Sequence, residues 1–247
     1  MAKKGSTDNS WISFSDIMTG LMVIFLFISI SYMFEVRKTT DRINDIVDDY
    51  IGTKVSLFNE LDSVFKDDFR KWQVELDEDL SIKFTNPEVL FPSGQATIQP
   101  YFKEILDTFI PRYFDILLQK KYDKKIAEIR IEGHTDTEPA RRYDNDDPSY
   151  IGNIKLSQER SAEVMKYFRS MPYYKNLPNT DEQKLQFLLT ANGLSYGRTL
   201  DDNGQLTNES GRLPNNELSR RVEFRIITTS EIFVEQVTKE LKEKSKK

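Results

Sequence analysis

The stretch WISFSDIMTGLMVIFLFISISYMF, residues 11–34, decides the overall plan of this chain. It carries no charge from Ile17 to Phe34, and a helix of this length rises about 36 Å, enough to cross a hydrocarbon core of about 30 Å. A cleaved signal peptide would have a shorter apolar core, and a buried soluble helix rarely stays apolar on every face for so long. Trp11 and Tyr32 lie near its two ends, where interfacial aromatics are enriched. We therefore predict one transmembrane helix at residues 11–34.

Asp16 is the only charged residue within this stretch. A carboxylate costs about 2.5–3.5 kcal/mol at the centre of a membrane helix, and somewhat less near an end, so its presence indicates a function. A small, partly polar helix face surrounds it, which other helices can approach closely: Ser13, Thr19, Gly20 and Val23. The alternative is an interfacial Asp that snorkels or caps the helix start. We predict that Asp16 carries an ion, and because one helix cannot enclose an ion path, that partner subunits surround it.

The composition of the whole chain limits the classes of protein to which it can belong. With 247 residues, of which 30% are charged, it can hold one soluble domain of ordinary size plus an appendage. A net charge of −5 argues against a nucleic-acid surface, and the absence of cysteine excludes disulfides and thiolate metal sites. We also find no nucleophile–base set, phosphate loop or Gly-rich fingerprint. We therefore expect a protein that is not an enzyme and holds no cofactor or metal.

The charges beside the apolar stretch predict its orientation. Residues 1–10 carry Lys3 and Lys4 against one Asp, whereas residues 35–50 carry three basic and five acidic side chains. The positive-inside rule then favours a cytoplasmic tail at residues 1–10. The remainder of the chain would lie in the periplasm, anchored in the inner membrane by a single pass.

Residues 35–78 form a predicted helical connector. Apolar residues recur there near a 3.6-residue period: Ile43, Val47, Tyr50, Leu57, Leu61 and Val64. We predict one or two amphipathic helices with a weak point at Gly52. The apolar face could pack on the following domain, or it could form a dimer seam or a plug near the membrane. We favour a connector that dimerises.

Residues 79–247 are predicted to form one α/β (α+β) sandwich with helices on one face of a sheet. Strands are predicted at 80–84, 125–131, 185–190 and 220–227, with a short extended piece at 89–91. Helices are predicted at 98–118, with a kink or break at Pro111, at 156–168, with Ser157 as a possible N-cap, and at 230–244.

Five runs within this region resemble OmpA-like peptidoglycan-binding domains in the expected order: FPSGQATI (91–98), IEGHTD (131–136), LSQERSA (156–162), ANGLSYG (191–197) and NELSRRVE (216–223). The resemblance covers residues 79–228. Two segments depart from the family pattern as insertions, at residues 138–151 and 201–214.

The resemblance implies a binding site for diaminopimelate in the peptidoglycan stem, which presents an ammonium and a carboxylate. Asp136 would bind the ammonium, and Arg160 would bind the carboxylate through its planar two-donor fork. Further hydrogen bonds would come from Asn153, Ser93, Gly94, and Arg220 or Arg221. The alternative is that Asp136 and Arg160 merely form a structural ion pair.

Two other features predict no site of their own. His134 is the only histidine and is interpreted as a turn residue of the motif, because alone it cannot hold a metal. The run from Asp201 to Leu206 matches part of a calcium loop, but Thr199 and Ser210 stand where acidic ligands are expected, so we predict a plain turn.

A membrane helix with an early Asp, a connector and an OmpA-like domain together resemble stator B subunits of the MotB type. The segment SDIMTGLM, residues 15–22, is similar to the ion-carrying segment of that family, and the short tail resembles the B subunit of the Zorya anti-phage defence motor more than a flagellar one. The resemblance implies a dimer within a ring of multi-helix A subunits of MotA or ZorA type, a coupling ion that is H⁺ or Na⁺, and indirect signalling to cytoplasmic effectors.

Two other functions stay open from the sequence. A passive wall anchor would use the helix only as a tether, and would have no use for Asp16. A transport energiser of the TolR or ExbD type shares the helix with its Asp but lacks the OmpA-like motifs at residues 131–136 and 156–162.

Overall fold

The computed structural model describes residues 8–138 and 150–244, with side chains described outside 8–13, 87–88 and 240–244. It divides into two compact units, Met1–Asp49 and Tyr50–Lys247. Some predictions fall outside the described residues. These are most of the predicted cytoplasmic tail, the side chains of Trp11 and Ser13, and most of the predicted insertion at 138–151.

Helix α1, Asp8–Trp72, is 65 residues long and begins in the first unit. Every described side chain from Phe14 to Phe34 is exposed, including large apolar ones such as Phe25. Among the described helices, α1 alone is long and apolar enough to cross a membrane. The weak point predicted at Gly52 does not interrupt the helix, so the segment forms one helix and not two.

The end of α1 belongs to the second unit and contributes to its core. Leu57, Leu61, Phe65 and Phe69 recur every four residues on one helix face, and all four side chains are buried in the main hydrophobic cluster. Burial of each such side chain stabilises the fold by about 1.5–3 kcal/mol. This part of the predicted connector therefore packs on the domain, which was one of the two interpretations of its apolar face.

The other elements follow in chain order. The strands are β1 Val74–Leu76, β2 Ser81–Phe84, β3 Ile126–Gly133, β4 Leu189–Gly193 and β5 Val222–Thr228. The longer helices are α3 Pro100–Leu117, α4 Tyr150–Ser170, α6 Asn179–Leu188 and α9 Thr229–Lys244. Single turns form α2 Pro87–Leu90, α5 Pro172–Lys175, α7 Thr207–Ser210 and α8 Asn216–Ser219.

The five strands form one sheet in the order β1-β2-β5-β3-β4, antiparallel except for the parallel pair β3–β4. Alternation along β5 places Val222, Phe224 and Ile226 in the core, together with Ile82 and Phe84 of β2. Buried side chains of α1, α3, α4 and α6 belong to the same cluster, so the helices cover this face. The opposite face carries charged residues. The predicted α+β sandwich is confirmed.

Three local predictions were wrong. Residues 89–91 are not extended: Pro87, suited to a first helical position, opens the turn α2. Residues 185–188 end helix α6 and are not strand, because Asp181 and Glu182 in its first turn favour a helix. Ser157 does not cap α4, which begins at Tyr150, and its hydroxyl donates to the Ile154 carbonyl within the helix. Of the kink or break predicted at Pro111, the break does not occur, since α3 continues through it, and the kink stays a prediction.

Candidate functional site at the carboxyl ends of β3 and β4

Two glycines bring the ends of β3 and β4 against helix α4. Gly133 and Gly193 are register partners at the carboxyl ends of these parallel strands. A Cβ on Gly133 would lie 2.2 Å from the backbone oxygen of Ser157, and one on Gly193 would lie 2.4 Å from the backbone nitrogen of Gln158. Only glycine allows this approach, which sets the loops after both strands beside α4.

Backbone hydrogen bonds join these two loops. Thr135 N donates to Ser195 O at 2.9 Å, and Leu194 N donates to Gly133 O at 3.0 Å. Ser195 N in turn donates to the Ser157 hydroxyl of α4 at 3.1 Å. The loop that carries Asp136 is therefore held from two sides.

Asp136 is 4% exposed, and both of its carboxylate oxygens have partners. Oδ2 accepts a charge-assisted hydrogen bond from Arg220 Nη1 at 2.6 Å, and Oδ1 accepts one from the backbone N–H of Glu138 at 3.1 Å. These two contacts hold the carboxylate in a fixed position.

Asn153 and Arg160 lie on one face of α4, seven residues and about 10 Å apart along the helix axis. Asn153 is 1% exposed and its Nδ2 donates to the Glu138 carbonyl at 2.8 Å, so it holds the loop of Asp136. Arg160 is 5% exposed and its Nε donates to the Gln95 carbonyl at 3.0 Å. Its guanidinium also lies 5.2 Å from the centre of the Phe91 ring.

The loop bound by Arg160 contains Ser93 and Gly94. Ser93 is exposed, and Gly94 has a φ of +66°, which a residue with a side chain adopts only with strain. The structure thus brings the Ser93–Gly94 loop to Arg160, and brings Asn153 and Arg220 to the Asp136 loop.

Arg221 is not brought to Asp136. Its side chain is buried on the charged face of the sheet, where Nε contacts Glu223 Oε1 and Nη1 donates to the Ser219 carbonyl. Neighbouring residues that enter a strand point to opposite sides, so Arg220 and Arg221 reach different places. Within the described part of the chain, the cation that pairs with Asp136 is Arg220, not Arg160.

His134 lies in a buried cluster with Glu132 and Glu223. Its Nε2 is 3.6 Å from a Glu132 oxygen and 3.7 Å from a Glu223 oxygen. Burial, with the charge of Arg221, lowers the pKa of His134 below 6.5. Burial alone would raise the pKa of Glu223, but Arg221 and His134 outweigh it and lower the value to about 2.

Among the described residues, these three side chains form the group whose possible metal-ligand atoms lie close enough together to hold an ion. Each carboxylate is already paired with a guanidinium, Glu132 with Arg198 at 3.4 Å and Glu223 with Arg221. A divalent cation would have to compete with both pairs, so we interpret the cluster as part of the polar sheet face.

The loop at Asp201 is a turn closed by its own backbone. Asp201 Oδ1 accepts from Asn203 N and Gln205 N, both at 2.9 Å, and Oδ2 faces Arg212 at 3.3 Å. The oxygens that a calcium ion would need are thus used within the loop, as expected for the plain turn.

Asp16 lies on the exposed apolar part of α1, away from the sheet domain in sequence. One turn after Ser15, the Thr19 hydroxyl donates to the Ser15 carbonyl at 2.8 Å. Gly20 has open space around its position, since a Cβ there would meet no atom within 4 Å. This face is free to receive other helices.

Sequence reasoning missed two contributors to the Arg160 environment. Gln95 acts through its main-chain carbonyl, which no side-chain pattern reveals. Phe91 lies within a recognised run, but its contact with Arg160 depends on the packing of the 91–98 loop on α4.

Comparisons with known proteins agree with this architecture. Residues 90–203 match the model of the OmpA family. The chain is 35% identical to the Zorya protein ZorB of Escherichia coli strain Crooks over 241 residues, 97% of each chain. It is 26% identical to a second Zorya protein ZorB, from the ETEC strain of E. coli, over 87% of this chain and 79% of that one.

Among solved structures, a MotB-like protein from Desulfovibrio vulgaris is 22% identical, with a TM-score of 0.46, over 72% of this chain and 96% of that one. The family assignment rests on the similarity at 35% identity over 97% of each chain, which spans the apolar helix and the OmpA domain alike. It places the chain among structural subunits, not enzymes. By this similarity, the chain belongs to the ZorB family of Zorya proteins.

Proposed function

We propose that this chain is the B subunit of the ion-driven motor of a Zorya anti-phage defence system, anchored to peptidoglycan by its C-terminal domain. The observation that carries the proposal is Asp16, the one charged side chain in the exposed apolar segment 14–34 of α1, in the same chain as an OmpA-family domain. The two ZorB relatives favour the defence role over a flagellar one.

Residues 11–34 would cross the inner membrane, with residues 1–10 in the cytoplasm and the second unit in the periplasm. All apolar side chains described in this span are exposed within the chain, so lipid or partner helices must cover them. We assign these partners as a ring of A subunits of ZorA type around a B-subunit dimer, with residues 35–49 as the segment that leaves the membrane.

Asp16 would accept and release the coupling ion, a proton in our proposal and Na⁺ as the alternative. Protonation removes a charge from a low-dielectric site and so changes the contacts of Asp16 with the A subunits, while deprotonation restores them. A proton that crosses about 150 mV supplies about 3.5 kcal/mol. Rotation would then reach cytoplasmic effectors through the A subunits.

Rotation requires that one partner be held, and the C-terminal domain would bind the wall. Asp136 would accept the diaminopimelate ammonium while it keeps its contact with Arg220, since a carboxylate oxygen can accept more than one hydrogen bond. Arg160 would bind the ligand carboxylate, and Asn153 and the loop of Ser93 and Gly94 would position these two groups.

The anchoring role can be tested by cosedimentation of purified residues 50–247 with diaminopimelate-type peptidoglycan. The fragment must begin at residue 50, because Leu57, Leu61, Phe65 and Phe69 are part of the core. We expect Asp136→Ala and Arg160→Ala to weaken binding by about 2–5 kcal/mol, as when one member of a buried charge pair is lost.

Two controls make this assay specific. Lys166→Ala removes a cation from the exposed side of the same helix and should bind like wild type. Lysine-type peptidoglycan lacks the second carboxylate, so Arg160→Ala should matter much less with it. Wild-type sedimentation of both site variants, at unchanged melting temperatures, would refute the assignment.

A further inference from the structure

Residues of the segment 201–214, which we predict to be an insertion, line a polar cavity whose lining does not include Asp136. The cavity has a volume of about 460 Å³ and its floor is the charged face of β2 and β5. Ser81 and Lys83 of β2, and Glu223 and Arg225 of β5, line the floor. The lining also includes Gly204, Gln205, Leu206 and Glu209. Such a volume suits a small organic molecule.

Two hydrogen-bond donors of this floor have no partner among the described residues. They are the hydroxyl of Ser81, a residue that is 1% exposed, and the buried Nε of Arg225. Ser81 and Arg225 are register partners in β2 and β5, so their side chains leave the sheet on the same face. Buried donors are nearly always satisfied, and leaving one unpaired costs about 1–3 kcal/mol. A hydroxyl beside a guanidinium Nε–H is the donor pair that a carboxylate accepts.

The other charged side chains of the cavity indicate which charges its ligand carries. Four cations and four carboxylates line it: Lys83, Arg198, Arg221, Arg225, Asp77, Asp79, Glu209 and Glu223. Lys83 is paired with Asp77 at 2.5 Å and Arg221 with Glu223. Arg198 faces Glu132 at 3.4 Å, and Nη2 of Arg225 lies 3.7 Å from Asp79 and 3.5 Å from Glu231, which leaves its Nε without a partner. Glu209 also lines the cavity, is exposed, and forms no salt bridge among the residues that the structure describes.

A simple anion in this cavity would lie near the unpaired carboxylate of Glu209, and a simple cation would leave the buried donors Ser81 Oγ and Arg225 Nε unsatisfied. A molecule with one carboxylate and one ammonium leaves the balance of charge unchanged. We propose that this cavity binds a zwitterion of the amino-acid or short-peptide class, with its carboxylate on Ser81 Oγ and Arg225 Nε and its ammonium on Glu209.

The proposal is tested on the full chain in detergent, with alanyl-alanine as the probe and isothermal titration calorimetry as the measurement. The Asp136→Ala variant serves as the background, so that binding at the peptidoglycan site does not contribute. We expect saturable binding with a millimolar dissociation constant, and much weaker binding of acetate or ethylamine, each of which carries only one of the two charges.

Three variants then assign the contacts. Ser81→Ala removes a hydroxyl that has no partner, so it should leave the melting temperature unchanged and weaken binding of the dipeptide about tenfold. Arg225→Lys keeps the charge but removes Nε, with a similar loss. Glu209→Gln, at an exposed position, should weaken the dipeptide but not acetate.

Each contrary result decides against the proposal. Equal dipeptide binding by wild type and all three variants would place the ligand elsewhere, and no binding up to the solubility limit of the dipeptide would mean that only water occupies the cavity. Loss of the signal in the Asp136→Ala background alone would assign the dipeptide to the peptidoglycan site.

Discussion

Asp136 and Arg220 form an ion pair, with 2.6 Å between Oδ2 and Nη1, that joins the loop after β3 to the end of α8, two residues before β5. The carboxylate side chain is 6% exposed and the guanidinium side chain 32% exposed, so solvent screens the pair only in part. The pair fixes the residue that we assign to ligand binding, and it links the segments next to the neighbouring strands β3 and β5 at one end of the sheet.

The coupling of this pair can be measured directly. Asp136→Ala, Arg220→Ala and the double variant form a double-mutant cycle in urea unfolding of residues 50–247. We expect a coupling free energy of about 1–2 kcal/mol, reduced from that of a fully buried pair by the exposure of Arg220. Strict additivity of the two substitutions would mean that the contact does not stabilise the domain.

The two strand-end glycines are predicted to tolerate no side chain. Gly133→Ala and Gly193→Ala place a Cβ within 2.4 Å of the α4 backbone, so the helix must move. We expect each to lower the free energy of unfolding by about 3 kcal/mol and to weaken peptidoglycan binding as well.

Gly52→Ala is the matched control for the glycine substitutions, because a Cβ there would meet no atom within 4 Å and the position is helical. It should stabilise α1 by up to about 1 kcal/mol. If the strand-end variants behaved like this control, the close approach of α4 to the sheet would be wrong.

Asp16→Asn should separate assembly from activity. Asn is nearly isosteric with Asp but does not exchange a proton near neutral pH, and its neutral amide inserts into a membrane at lower cost. We expect co-purification with the A subunits to persist and protection against phage to be lost.

Asp16→Glu tests whether a longer carboxylate at this position can replace Asp16. Glu titrates in a similar range but is one methylene longer, so we expect partial protection. Full protection by Asp16→Asn would instead make this chain a passive wall tether.

The proposed topology predicts a one-sided protease pattern. Protease added to spheroplasts should digest the second unit, Tyr50–Lys247, and leave a tag at the N-terminus protected. The same tag should be digested after the membrane is permeabilised. Protection of the second unit in intact spheroplasts would place it in the cytoplasm and rule out wall binding.

The buried cluster around His134 predicts loss of stability in acid. The pKa of His134 is lowered in the folded state, so the unfolded chain binds the extra proton first and stability falls as the pH drops below about 6.5. The pKa of Glu223 is lowered from 4.5 to about 2, so a second loss follows as the pH falls from about 4.5 towards 2.

Urea unfolding of residues 50–247 across this pH range measures both steps. His134→Gln should flatten the upper step and leave the lower one, because Gln does not titrate. A wild-type free energy of unfolding that stays constant from pH 7 to 5 would contradict the lowered pKa of His134.

Some of the fold could be predicted because its signals are local. An uncharged apolar run of 18 residues has few stable environments other than a membrane, so residues 17–34 and the exceptional Asp16 are read from the sequence alone. Apolar and polar residues alternate over residues 222–226, and this local pattern predicts both the strand β5 and the face of it that is buried. The ordered motifs that contain Asp136 and Arg160 can likewise be recognised from the sequence alone.

Other features depend on contacts between distant residues, and only the tertiary structure decided them. The apolar face at Leu57–Phe69 fits a dimer seam or a domain core equally well until α3 and the sheet are present to cover it. Arg220 and Arg221 are identical and adjacent, yet the direction of β5 sends one to Asp136 and the other to Glu223. The cavity at Ser81 and Arg225 is lined by residues of β2, of β5 and of the segment 201–214, which are far apart in the sequence, so no local pattern encodes it.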